Sequence, residues 1–476
     1  MQSRLLHFLF LVKNNRINRK EIKLIMIKKL TLLILFFIFI IVSADYFLRD
    51  SLKPTNTLSE IDCKDCNVIL IVVDTLRQDR LTTYGSSRVL TPYLDKLASR
   101  SFVFFDNYSA SNWTLPAMMS MFTGMYPQHH LVTNKYSYNS PDTYINLDKT
   151  SPHLITLAQY FKESGYHTAG FTGGAGVSSV FGFDKGFDTY SDEGDFDSFE
   201  STIPLAMDWL KNISADEDNR HFLFLHGYDV HGQVANNDDL EPYFSKSYKG
   251  DLQGSVEEHV EMRDQYQIKK QLFLTDDDKQ FLIDRYDDKV LAMDKKIGFF
   301  LEDYYSQLGF DNPTLVILTS DHGEELFDHN GIDHGLTLYQ EVVKTPLLIH
   351  LPEQTKSIKV ESRTSAVDLL PTVLDLVGIT QNSNAALDGV SFKPTFLGDE
   401  SQEEVLFHSD YRYLSSLRGG INKDNFKMIS DLVEQKNELY DLSQDNQEKN
   451  NLASNNDVKN ELVTNWLKNF FWQLKL

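Results

Sequence analysis

Three stretches of the chain are unbroken apolar runs that end on polar, chemistry-bearing residues: NVILIVVD (67–74), HFLFLHGYD (221–229) and PTLVILTSDHG (313–323). A continuous, β-branched run is the pattern of a strand buried on both faces, as in a parallel sheet flanked by helices. TPLLIHLP (345–352) reads as another strand. Elsewhere apolar residues recur at helical spacing: TPYLDKLASR (91–100), LITLAQYFKESGY (154–166) and VDLLPTVLDLVG (367–378), where Pro371 predicts an interruption. The acidic stretch from about 234 to 288 lacks strand character and predicts a helical excursion. EVLFHSD (404–410) and ELYDLSQDNQEKNNLA (438–453) are strand-and-turn patterns. Together these predict an α/β fold: a large, mostly parallel central sheet flanked by helices, plus a smaller C-terminal α+β subdomain.

The N-terminal region departs from this pattern. LTLLILFFIFIIVSA (30–44) follows Lys28 and Lys29 and is shorter than the roughly 20 residues that span a bilayer. It matches a secretory signal, with Val42-Ser43-Ala44 resembling a cleavage site. The alternative is an uncleaved membrane anchor over residues 30–47. Arg16, Arg19, Lys20 and Lys23 reinforce the basic flank, and either reading exports the rest to a periplasmic or extracellular location. Met26 is an alternative start to Met1. The predicted organisation is a tail with signal peptide or anchor (1–44), a linker (45–66), a catalytic domain (67–400) and a C-terminal subdomain (401–476).

A formal net charge of -22 argues against a nucleic-acid partner, which would call for clustered Lys and Arg. It leaves room for a small anion bound at a cation. The two cysteines, Cys63 and Cys66, are too few for a structural zinc site and predict a small disulfide.

Candidate chemistry collects at the strand ends. Asp74 closes the first run. Thr114, in SASNWTLPAMMSMFTGMYP (109–127), precedes a predicted helix, where a threonine alone would ordinarily be a cap. DHGEELFDHNGIDHG (321–335) brings Asp321, His322, His329 and His334 within fifteen residues. Carboxylates beside imidazoles after a strand suit a transition metal. His226, Asp229 and His231 follow the second run and could serve a second metal, an anionic substrate or merely a hydrogen-bonded loop. A metal held by Asp74, Asp321 and His322 could also bind and activate Thr114.

NVILIVVDTLRQDRLTTYG, TPYLDKLASRSFVFFDNYSASNWTLPAMMSMFTGMYPQHH, GYHTAGFTGG with GFDKGFDTY, DHGEELFDHNGIDHGLTLYQEVVKTPLLI, AVDLLPTVLDLVGI, LDGVSF and ELYDL follow one another from about Asn67 to Leu452. Their order resembles the sulfatase family of the alkaline phosphatase superfamily. The resemblance implies an alkaline phosphatase-like sandwich, Asp74, Asp321 and His322 as metal ligands, and Thr114 as nucleophile. His231 and His334 would contact the transferred anion or leaving group, with His226, Asp229 and His329 as further candidates. Thr114 stands where sulfatases carry the Cys or Ser that becomes formylglycine. Pro116 is kept, but Ala117 and Met118 replace Ser and Arg, and Thr75 replaces a second Asp. His322 replaces an Asn, which favours Zn or Mn over Ca or Mg. Threonine with an Asp-His pair resembles the phosphoryl-transferring relatives, such as lipoteichoic acid synthases, phosphoethanolamine transferases and nucleotide pyrophosphatases. The expectation is therefore a metal-dependent hydrolase or transferase acting on a small-molecule, glycan or lipid-linked phosphate, phosphonate or sulfate ester, with phosphoryl chemistry favoured. The alternatives are sulfate-ester hydrolysis without formylglycine, and a non-catalytic binding module.

Overall fold

The computed structural model describes Lys28 and residues 61–454, apart from residues 89, 135, 138–139, 145–153, 215–218, 233–240, 308–312, 382–384, 400–402 and 411–415. The predicted signal or anchor and the linker as far as residue 60 lie outside the described residues. Among the described residues, no helix is long and apolar enough to cross a membrane.

The three apolar runs form the middle of an eight-stranded sheet. In chain order its strands are β1 (Asn67–Val73), β2 (Phe102–Phe104), β3 (His167–Phe171), β4 (Thr189–Ser191), β5 (His221–Gly227), β6 (Thr314–Thr319), β7 (Leu347–His350) and β8 (Ile358–Val360), arranged β8-β2-β7-β6-β1-β5-β3-β4. Strand β1 runs parallel to both neighbours, with Val72 opposite His226 on one side and Thr319 on the other. Only β7 runs antiparallel to its neighbours. All seven residues of β1 are buried, which explains why the run shows no polar alternation.

Alternation reappears in where the side chains go. Val68, Leu70 and Val72 pack into a core with Trp113, Met118, Phe122, Phe161 and Leu370. Ile69, Ile71 and Val73 point the other way, into a core with Leu94, Leu97, Phe199, Val290 and Met293. A two-residue period on a flat element feeds two helical layers at once. The first layer includes helices α2 (Thr114–Thr123), α3 (Leu157–Glu163) and α7 (Leu369–Val377). The second includes α1 (Pro92–Ala98), α4 (Phe199–Ile213) and the long α6 (Asp276–Gln307). Helix α5 (Val256–Lys269) and α6 supply the predicted helical excursion.

One expectation is corrected by detail. Pro371 does not interrupt its helix. It is the third residue of α7, in the first turn, where backbone N–H groups have no intrahelical acceptor. The last residues of the predicted linker are packed: Ile61, Cys63 and Cys66 are buried, and Cys63 is disulfide-bonded to Cys66.

After the large sheet, β9 (Val405–Asp410), β10 (Ser416–Ile421), β11 (Phe426–Asp431) and β12 (Lys436–Asp441) form an antiparallel meander. Val405, Phe407, Leu417 and Ile429 share a core with Tyr108, Leu338 and Val343. A wholly buried ion pair, Lys427 Nζ to Glu448 Oε1 at 2.7 Å, lies beneath. Glu448 Oε2 also accepts from the backbone of Gln340, 2.6 Å away. The meander thus braces the segment that follows the Asp-His cluster.

Candidate active site

The carboxyl ends of β1, β5 and β6 lie side by side, so residues distant in sequence converge above the sheet. Asp74 leaves β1, His226 is the penultimate residue of β5, opposite Val72 and so two positions before Asp74, and Asp321 and His322 follow β6. Thr114 is the first residue of α2, where the helix dipole presents its positive end. Its Oγ1 donates to Asp74 Oδ2 at 3.1 Å and lies 3.5 Å from His322 Nε2. All these side chains are buried.

Donor atoms of Asp74, Asp321 and His322 lie within 4.8 Å of one another. Asp321 Oδ1 accepts from the backbone of Thr75 (3.2 Å) and His322 (2.9 Å). Asp321 Oδ2 makes no hydrogen bond, although buried. His322 Nδ1 lies 2.8 Å from the carbonyl oxygen of Gly323. A carbonyl can only accept, so Nδ1 carries the proton and the Nε2 lone pair faces inward, 3.2 Å from Asp321 Oδ2. Burial, and then the charge of Asp74, push the Asp321 carboxyl up to about 7. His226 adds two buried ring nitrogens without hydrogen bonds, Nε2 being 3.7 Å from Asp74 Oδ2. Burial holds that imidazole down at about 4. Lone pairs and carboxylates facing one another in a buried site fit a divalent cation held by Asp74, Asp321 and His322, with Thr114 Oγ1 beside it.

Thr114 is held from behind by a close approach. A Cβ at Gly176 would fall 2.8 Å from Thr114 Cβ and Cγ2, so any side chain there would push the threonine. Gly176 N donates to Tyr228 Oη at 3.0 Å, and Tyr228 Oη donates to the carbonyl of Gly174 at 3.2 Å. Gly176→Ala is expected to lower kcat roughly 10- to 100-fold with a smaller change in KM, because overpacking of about 1–3 kcal/mol displaces the hydroxyl. Steady-state kinetics of the variant checks this.

The histidines His231 and His334 also reach the site. The His334 ring lies 4.5 Å from that of His322 and 4.9 Å from that of His231. His334 Nδ1 is 3.1 Å from Glu324 Oε1 and from Asp333 Oδ1. Glu324, Asp333 and His334 form a second compact group of donor atoms. Their oxygens are engaged: Glu324 Oε2 accepts from Gly232 N (3.1 Å), and Asp333 Oδ1 from His334 N (2.7 Å). Burial, and then Asp333, push the Glu324 carboxyl well above the usual carboxylate range. This group reads as a cradle that orients the His334 ring.

Two candidates fall elsewhere. Asp229 accepts from Phe199 N (2.7 Å) at the start of α4 and from Lys296 Nζ (3.0 Å). His329 lies 2.6 Å from Glu341 Oε1, stacks on Tyr339, and its Nε2 faces the carbonyl of Glu448. Both are thereby held by structural partners, although the Asp229 charge still acts on His226. Sequence reasoning gave no role to Glu324, Asp333 or Tyr228, although each sits inside a quoted motif next to a candidate histidine or strand end.

Comparison with known proteins follows this geometry. The sulfatase family model matches residues 66–379, and the model for the C-terminal part of N-sulphoglucosamine sulphohydrolase matches residues 328–475. The chain is 24% identical over 409 residues to a Delta 4,5-hexuronate-2-O-sulfatase of Bacteroides thetaiotaomicron, covering 80% of this chain and 82% of that protein. It is 22% identical over 499 residues to an N-acetylglucosamine-6-O-sulfatase of the same organism, covering 83% and 85%. The crystal structure of a phosphonate monoester hydrolase of Agrobacterium radiobacter superposes with a TM-score of 0.66 at 19% identity, over 86% of this chain and 96% of that one. The architecture is that of the alkaline phosphatase-like fold, as the resemblance implied.

Proposed function

The chain belongs to the sulfatase family of hydrolases, and from that premise we propose that it cleaves a tetrahedral anionic ester, sulfate or phosphorus, with Thr114 as nucleophile. The observation that carries this reading is the position of Thr114 Oγ1, 3.1 Å from Asp74 Oδ2 and 3.5 Å from His322 Nε2, at the entry of α2. Asp74, Asp321 and His322 would hold a divalent metal, Zn or Mn by the imidazole among them. When bound, it supplies charge neutralisation and a lowered pKa for a coordinated hydroxyl. Asp74 orients the Thr114 hydroxyl, and the N–H groups opening α2 face the incoming anion. Oγ1 gives its proton to Asp74 Oδ2 and attacks sulfur or phosphorus, the bond to the alcohol oxygen breaks, and His334 or His231 gives that oxygen its proton. Water then attacks the threonine ester, giving a proton to the now neutral histidine, and the sulfate, phosphate monoester or phosphonate leaves as Oγ1 takes its proton back from Asp74.

The ester element is open between two supported readings. The names of the sulfatase relatives support sulfate esters of saccharides. The unmodified threonine and His322 support phosphorus esters, and a phosphonate monoester hydrolase shares the fold. Phosphoryl transfer to an acceptor, favoured by the sequence, has no counterpart among the relatives named above. The apolar run at 30–44 and the Cys63–Cys66 disulfide support a site of action outside the cytoplasm.

Paired assays with aryl and alkyl sulfates, phosphodiesters and phosphonate monoesters, with Mn or Zn supplied, test this reading. We expect metal-dependent cleavage of at least one class. His334→Ala should slow the alkyl ester by about 10²–10⁴ and the activated aryl ester much less, as expected for a proton donor to the leaving group. No cleavage of any ester would overturn the proposal.

A further inference from the structure

One pair of buried cations is not used by the chemistry above. Helix α6 places Arg285 and Lys289 one turn apart, only 9% and 7% exposed. Two like charges held together out of water destabilise the fold unless something compensates them. Burial, and then the neighbouring Arg285, lower the Lys289 ammonium to about 8. Lys289 Nζ donates to the carbonyl oxygens of His231 (3.2 Å) and Gly232 (3.4 Å), which ties it to the catalytic loop. Among the described residues Arg285 makes no hydrogen bond or ion pair, and its Nε is wholly buried. Asp288, three residues on, acts on the guanidinium only through its charge, because its oxygens accept from the backbone of Tyr243, Phe244 and Ser245. Buried guanidinium groups are nearly always hydrogen-bonded, so Arg285 is placed to donate to an acceptor from outside the fold.

Both cations line a cavity of about 40 Å³ together with Gly232, Gly254, His259 and Glu324. That is room for a few water-sized groups, hence for one small anionic group and not for a sugar ring. The cavity adjoins the candidate active site. Gly232 follows His231, and Glu324 forms a shared wall whose oxygens face His334 Nδ1 and Gly232 N. The His259 ring closes over Gly232 so tightly that a Cβ there would lie 2.4 Å from it.

We propose that Arg285, with Lys289 and His259, forms a subsite for a second anionic group of the substrate, a carboxylate or a further sulfate or phosphate carried by the molecule whose ester reacts at Thr114. The proposal rests on the reading of Thr114 as the reacting centre and adds a specificity determinant to it. The guanidinium supplies a planar pair of donors matched to carboxylate or sulfate oxygens.

The test uses full-length protein carrying Thr114→Ala with metal present, so that binding is read without turnover. Calorimetric titrations compare three probes: a methyl glucoside 2-sulfate, the corresponding glucuronide 2-sulfate, and a glucoside 2,6-disulfate. At least one doubly anionic probe is expected to bind tenfold or more tightly than the singly anionic one, and which of the two does so tells carboxylate from sulfate. Adding Arg285→Gln should bring that affinity ratio to within twofold, whereas Arg285→Lys should keep part of it and serves if the glutamine variant does not fold. Equal affinities for all probes, binding of none, or a ratio untouched by both substitutions would overturn the subsite. Failure of the ester-cleavage reading shows separately, as absence of turnover by protein with Thr114 intact.

Discussion

Thr114→Ala is expected to lower kcat by about 10⁴ or more, the scale seen when a nucleophile is removed from an otherwise intact site. Thr114 sits at the head of α2, and its Oγ1 touches both Asp74 and His322. Alanine is a good helix former and removes little buried surface, so the melting midpoint should move by only a few degrees. Thr114→Ser keeps the oxygen and should retain measurable turnover, reduced because the lost methyl no longer locks the rotamer against Gly176. Trapping with a slow phosphorus or sulfur ester, followed by intact-protein mass measurement, should show the adduct on Thr114 and none in the alanine variant. Undiminished turnover in Thr114→Ala would remove the threonine mechanism altogether.

A comparably large effect is expected at the cation site. Mn or Zn added to chelator-treated protein should raise its thermal stability, by about 2.7 kcal/mol at a hundredfold excess over Kd. Asp321→Asn should lose this response and lower turnover by at least about 10³. Without metal, the sign reverses. The Asp321 carboxyl is held up at about 7 in the fold against an ordinary value of 3.8, by burial and by Asp74. The metal-free fold therefore binds the proton more tightly than the unfolded chain. Its contribution is complete below about pH 4 and is lost as pH rises toward 7. The asparagine variant lacks that loss, so in chelator at pH 8 it should melt above the unsubstituted protein, and at pH 4 the two should converge. Calorimetry at the two pH values, with and without metal, checks both halves.

The architecture was legible because its strands are buried on both faces. Such strands must be apolar throughout, and NVILIVV, HFLFLHG and TLVILT carry that requirement openly. The residues that follow them were legible for a related reason: in a parallel sheet, neighbouring strand ends lie on one side. Asp74, Asp321 and His322 could thus be grouped before any distance was known. His231 and His334 stood in the same loops, and the His334 ring lies against those of His322 and His231.

Partner choice was not legible, since it depends on which distant segments meet. Asp229 and His329 have the residue types of a reactive site. Chain packing instead gives Asp229 to the start of α4 and to Lys296, and His329 to Glu341 and Tyr339. Pro371 looked like a helix breaker until its place in the first turn of α7 made its missing N–H irrelevant. Arg285 carries no motif, and only the docking of α6 behind His231 and Gly232 brings its charge beside the site. By itself, then, the sequence determined the sheet, the two helical layers and the grouping of Asp74, Asp321 and His322 at the strand ends, because burial pattern is a property of each segment alone. Tertiary structure decided which titratable groups gather around Thr114 and which are held by structural partners, because hydrogen bonds and charges act over a few ångströms between segments that the chain order keeps far apart.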